Sequence, residues 1–194
     1  MSATLVSVGG MTQSFDKAFD KDSRAEAPIR AEEVTALRGF LDYHRDTLRW
    51  KCSGLTQEQL AQVHEPSTMT LGGMMKHLAL NEVGWFGQTL AGEPYPPPFD
   101  GIDWDADPDW EWRTARDDSP ADQWALYDEC VRRADAAIDQ ALARGGLDAE
   151  SVQQSSSQGA FSLRWILLHM IEEYARHNGQ ADLIRESIDG ATGE

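Results

Sequence analysis

The longest amphipathic run in the chain extends from Ser162 to Ile188 with no proline in it, and it stops before Gly190. A helix that long must lay one face along other helices, because tertiary packing rather than propensity stabilises such elements in water. At about 100° per residue with Met170 at zero, Leu163, Ile166, Leu167, Tyr174, Ala181 and Ile184 fall within roughly 60° of one line. Three other stretches carry comparable stripes. From Glu32, positions Val34, Leu37, Leu41, His44 and Leu48 are spaced by threes and fours toward "KCSGL". "LGGMMKHLALNEVGWFGQTLAG" follows candidate caps at Ser67, Thr68 and Thr70 and is closed by "GEPYPPP". Its adjacent glycines each cost roughly 1 kcal/mol relative to alanine, a hint of close packing. "DSPADQW" opens another helix, with Ser119 as N-cap and Pro120 at the first helical position. Its stripe is Trp124, Tyr127, Val131, Ala134, Ile138 and Ala141.

Between these helices lie a long proline-, aspartate- and tryptophan-rich connection (residues 93–118) and a polar linker, "DAESVQQSSSQGA", with no strand signal. Four long helices and one long connection predict an all-α four-helix bundle over residues 31–192, preceded by an N-terminal arm, residues 1–30.

Composition narrows the function classes. Thirty-three acidic against 17 basic residues give a net charge of −16, which repels phosphate backbones and argues against nucleic acid as a partner. No run of about 18 apolar residues exists and no signal peptide is read, so a cytoplasmic protein without a membrane span is expected. The two cysteines, Cys52 and Cys130, stand in no C-x-x-C arrangement and are expected as free buried thiols.

The last helix carries the chemistry. His177 lies about 20° from the centre of the core face, Glu173 about 60° and Gln180 about 80°, with His169 near 100° and Glu172 on the far side. Glu173 and His177, spaced i, i+4, can reach one point beside the helix, and carboxylate plus imidazole suits zinc or nickel. A buried carboxylate equally needs compensation from a cation, and Arg164, Arg176 and Arg185 share the helix; ion pairing and metal binding both stand. A metal would need a further ligand, for which His77 and His44 lie on apolar stripes, where a single histidine is more often a satisfied core residue. His64 sits in a polar loop. Neither H-E-x-x-H nor the paired E-x-x-H of di-iron bundles occurs. "DWDADPD" has Pro108 where a calcium loop needs glycine, and Thr114 at its twelfth position. Trp85, Trp104, Trp110 and Trp112 read as core or loop anchors, with a pocket wall as the alternative. Arg45, Lys51 and Arg164 are candidates to bind an acidic substrate or a cofactor.

"TLGGMMKHLALNEVGWFGQTLAGEP" and "SLRWILLHMIEEYARHNGQADLIRESIDGATG" together resemble the DinB/YfiT-like superfamily, in its DUF664 branch of mainly actinobacterial proteins. "RGFLDYHRDTLRWKCSGLTQEQL" and "DWDADPDWEW" fit the same branch, so the resemblance covers roughly residues 30–192. It implies an up-down-down-up four-helix bundle holding one divalent metal, with His77, Glu173 and His177 as ligands and Gln180 and His169 beyond them. Glu173 stands where many members have histidine. A similar His-Glu-His set occurs in the mycothiol-dependent maleylpyruvate isomerase and makes the site harder, suiting zinc, with nickel or manganese as alternatives. The resemblance further implies a mycothiol-like thiol cofactor, a small-molecule substrate, and S-transfer or isomerisation. Alternatives are a non-catalytic stress-response scaffold and a metal-dependent hydrolase. Bundles of this sort often pair, so a homodimer is an open expectation.

Overall fold

The computed structural model describes residues 24–193. Most of the expected N-terminal arm, residues 1–23, lies outside the described residues; its last part is tied to the bundle by Arg24, which donates to Thr47 Oγ1 (3.0 Å) and lies over the Tyr43 and Trp50 rings.

Four long helices form the all-α bundle. Helix α1 spans Glu33–Cys52, and a short α2, Gln57–Leu60, follows under a capping box from Thr56 and Gln59. Helix α3 spans Leu71–Glu82 and runs on as a π-helix, Val83–Ala91, where an uninterrupted α-helix was expected. The wider turns contain Gly84 and Gly87, weak helix formers, and close at Gly92 in the left-handed region (φ 74°). Helix α4, Trp110–Thr114, lies inside the long connection. Helix α5 spans Pro120–Gly145 and α6 spans Leu163–Asp189. Helix α1 packs along α6, α3 along α5, and α3 also meets α6. The core between them includes Leu41, Leu48, Leu78, Phe86, Ile138, Leu167 and Met170, all fully buried.

Cap chemistry sets the boundaries. Of the three candidates before α3, Thr70 is the cap, its Oγ1 accepting from Gly73 N at 3.0 Å. Ser119 and Ser162 cap α5 and α6 in the same way, and Gly190 ends α6 at φ 78°. The glycine pair of α3 is where neighbours come close. A Cβ at Gly73 would lie 2.7 Å from the Trp112 ring, and one at Gly72 would lie 3.0 Å from the Gln123 amide.

Two sequence-based expectations are corrected. The linker expected to lack strands folds as an antiparallel hairpin, β1 Glu150–Ser155 and β2 Gly159–Ser162, turned at residues 156–158 with Gly159 entering β2 at φ 84°. Its strands bury almost no side chain, so the alternation that betrays a strand is absent. Backbone pairing holds it, helped by the Ser151 hydroxyl, which accepts from Phe161 N (2.9 Å) and donates to Gln153 O (2.5 Å). On α1, His44 was expected on the inward stripe but is only half-buried, whereas Arg45 is buried. Asn178 of α6 donates to the His44 carbonyl at 2.9 Å.

Arg45 enters the core because a carboxylate meets it there. Its Nε and Nη2 donate to Glu82 at 2.7 and 2.6 Å, and Glu82 is fully buried. The Tyr174 hydroxyl donates to the same carboxylate (2.7 Å) and lies 2.9 Å from the Tyr127 hydroxyl, so one polar network joins all four long helices. Burial lowers the guanidinium's pKa, but the Glu82 charge and hydrogen bonds outweigh it, and the net shift is upward. Arg45 is therefore committed to the fold rather than to a substrate. Lys51 pairs with Asp182 (2.6 Å), and Arg164 with Glu33 (2.7 Å) and Asp148, so the three cations proposed for ligand binding are all engaged within the protein.

Candidate metal centre

Helix α3 presents His77 and helix α6 presents Glu173 and His177 to one point. A ligand atom from each lies within 4.8 Å of the other two. The side chains are partly to largely buried, 23% exposed for His77, 15% for Glu173 and 10% for His177. The rings of His77 and His177 stand edge to face, with centroids 5.1 Å apart.

The hydrogen bonds settle how each ring faces the cluster. His177 Nδ1 lies 2.8 Å from Gln180 Oε1, which can only accept. Nδ1 thus carries the proton, and Nε2 turns its lone pair toward Glu173 Oε2, 3.7 Å away. His77 Nδ1 lies 3.0 Å from Glu111 Oε1, so His77 also protonates on Nδ1 and leaves Nε2 as acceptor. The Asn81 amide nitrogen, 3.1 Å from that Nε2, agrees with the same tautomer. Burial first, and then His77, pushes the His177 pKa below its ordinary value, which keeps the ring neutral and its lone pair available at pH 7.

Both readings of Glu173 left open by the sequence have a counterpart here. Arg176 donates to Oε1 at 3.2 Å, while Oε2 faces His177. Arg176 is more than half exposed, so water screens the pair and it offsets little of the cost of burying the carboxylate. Two atoms bound to a tetrahedral zinc about 2.1 Å away lie roughly 3.4 Å apart, so the 3.7 Å between Nε2 and Oε2 comes within a few tenths of an ångström. Two imidazoles with Nδ1 held by an oxygen behind each ring, and one carboxylate, fit a divalent ion, which would take the place of the Asn81 amide at His77 Nε2.

The remaining sequence candidates lie elsewhere. His169 stacks on Trp165 (5.0 Å, 12°) and meets Trp85 edge-on, within an aromatic group that includes Phe161. His64 is exposed. Trp104 and Trp110 pack with Tyr95 and Phe99 inside the connection, as anchors. Trp112 departs from the anchor reading. It stacks on His77 at 4.8 Å and 29°, and its ring also stands 6.1 Å from that of His177. Glu111 was not anticipated as a site residue. The only hint was an acid between two tryptophans in "WEW", since a five-residue helix is too short for a period.

Helix α4 is held on α3 beside this cluster. Lys76 donates to Asp118 (2.7 Å) and Thr114 (2.9 Å) and lies over the Trp110 ring, while Gly73 makes room for Trp112. The long connection thus closes over the cluster with one ring and one carboxylate.

The mostly helical bundle is consistent with an all-α DinB-like fold. The chain belongs to the mycothiol-S-transferase family, whose family model matches residues 36–190. No curated protein matches it. Among the described residues no helix is long and apolar enough to cross a membrane.

Proposed function

We propose that the protein is a divalent-metal-dependent enzyme of the DUF664 branch that uses a low-molecular-weight thiol of the mycothiol type, as an S-transferase or isomerase on a small electrophile. The observation that carries this reading is the convergence of His77, Glu173 and His177 from two helices, with both imidazoles turned Nε2 inward. Zinc suits this donor set best. A bound ion would act as a Lewis acid that stabilises a coordinated thiolate at neutral pH.

The chain's own residues would hold that ion and shape its surroundings. Gln180 and Glu111 fix the two rings, and Trp112 covers the His77 face and limits water there. Three protein ligands leave room for an exogenous ligand, the arrangement of a catalytic site. The nucleophile has to come from outside, because Cys52 and Cys130 are buried, and burial pushes both thiols up to about 12. At pH 8 on the order of 10⁻⁴ of either would be thiolate, before any steric protection. A maleimide or iodoacetamide reagent at pH 8 is accordingly expected to leave both cysteines unmodified in the native protein and to modify both in denaturant. Fast labelling of native Cys52 or Cys130 would count against an exogenous thiol.

The direct test supplies mycothiol and a panel of electrophiles to protein loaded with zinc, nickel or manganese, and follows loss of free thiol and the mass of the product. Turnover that requires metal and ceases in His177→Ala is expected. A fully loaded protein indifferent to every thiol would favour a scaffold or a hydrolase.

A further inference from the structure

We infer that Glu111 is a positioning residue for the metal centre, acting through His77: it holds the ring with Nδ1–H outward, so that Nε2 is the atom offered to the ion. The inference rests on the proposed metal-binding reading.

Three observations converge on it. Glu111 Oε1 lies 3.0 Å from His77 Nδ1, with the carboxylate 5% exposed. Histidine that binds a metal through one nitrogen gains basicity and a fixed orientation when the other donates to a carboxylate. Trp112, the next residue, stacks on the same ring, so α4 controls His77 both in its plane and across its face. The third observation is a cost. Glu111 Oε2 is buried with no hydrogen-bond partner among the described residues. A buried unmatched acceptor is destabilising, so the placement of this carboxylate carries a cost that its contact with His77 alone does not offset. Lys76, one residue before His77, is committed to Asp118 and Thr114 and leaves Glu111 to the histidine.

The test compares Glu111→Gln and Glu111→Ala with the wild type in two measurements. Competition with a chromogenic chelator gives zinc affinity, and long-range 1H–15N NMR of the metal-free protein gives the tautomer of His77. The wild type should show the Nδ1–H form. Glu111→Ala should weaken zinc about 10- to 100-fold and let part of the His77 population shift to Nε2–H, against the Asn81 amide that still donates to Nε2. Glu111→Gln, whose amide oxygen still accepts from Nδ1, should keep the tautomer and lose affinity through the missing charge. Affinity within twofold of wild type in both variants would overturn the inference, as would an unchanged tautomer in Glu111→Ala. A loss from Glu111→Gln as large as that from His77→Ala would make Glu111 a ligand and overturn the positioning role. If His77→Ala and His177→Ala themselves leave affinity untouched, the metal reading has failed rather than this one. Should Glu111→Ala not fold, Glu111→Gln alone decides between these outcomes by its affinity.

Discussion

Replacing Glu82 by alanine is expected to cost about 3–5 kcal/mol of stability, the range for breaking a buried ion pair from one side. The Arg45 guanidinium is 3% exposed and makes two hydrogen bonds to Glu82. Without that carboxylate it retains, among the described residues, Asp42 and Asp135, both on Nη1 at 3.0 and 2.9 Å and both partly in water. The Tyr174 hydroxyl loses its acceptor at the same time. In a domain of this size the loss corresponds to a fall in Tm on the order of 10 °C, readable by circular dichroism. Glu82→Gln should recover little, since an amide accepts from Tyr174 but does not neutralise Arg45. A double replacement, Arg45→Met with Glu82→Leu, should restore most of the stability, because removing both charges also removes their desolvation cost. A Tm for Glu82→Ala within a degree or two of wild type would contradict a role for this network in holding the four helices.

The second large effect concerns the metal. His177→Ala deletes an imidazole whose Nε2 faces the cluster, and His77→Ala deletes the one residue that α3 contributes to the candidate site. Each should lower zinc affinity well beyond the roughly 10- to 100-fold expected when an outer hydrogen-bond partner is lost. Glu173→Gln should weaken binding while keeping the side chain's shape, since it removes the one negative charge among the three candidate ligands. None of the three touches the Arg45–Glu82 network, so their metal-free Tm should stay near that of wild type. Isothermal titration and thermal melts with and without zinc read both quantities, and the added stabilisation by zinc should vanish with the affinity.

These two networks differ in how far the sequence revealed them. Helical phase around Met170 was sufficient to select Glu173, His177 and Gln180 from a crowded polar stretch, because one rigid helix fixes their relative directions. His77 needed more. A histidine on an apolar stripe has a structural explanation as good as a functional one, and only the resemblance carried by "TLGGMMKHLALNE" favoured the second. Glu111 was out of reach because no period exists in five residues, and its placement depends on Trp112 fitting over Gly73. The glycine pair had signalled that close approach without naming the partner.

Arg45 and Glu82 carry a legible signal in the sequence. Leu41, Arg45, Leu48 and Cys52 form one stripe of α1, and Leu71, Met75, Leu78 and Glu82 one stripe of α3, each with a single charge of opposite sign. Two such charges in core-facing phase must meet a partner, and each is the other's simplest choice. The hairpin Glu150–Ser162 had no comparable signal, since β1 is mostly exposed and β2 is half-buried on both faces, with no alternation between them. Its fit against the end of the π-helix depends on Val152 reaching over Gly92, a tertiary contact that no local pattern encodes.

The central claim is that His77, Glu173 and His177 form one metal site. Elemental analysis of protein purified without an affinity tag, alongside His77→Ala and His177→Ala prepared identically, tests it most directly. The account predicts a single divalent ion per chain in the wild type and near-complete loss in both variants. Unchanged metal content in both would contradict it.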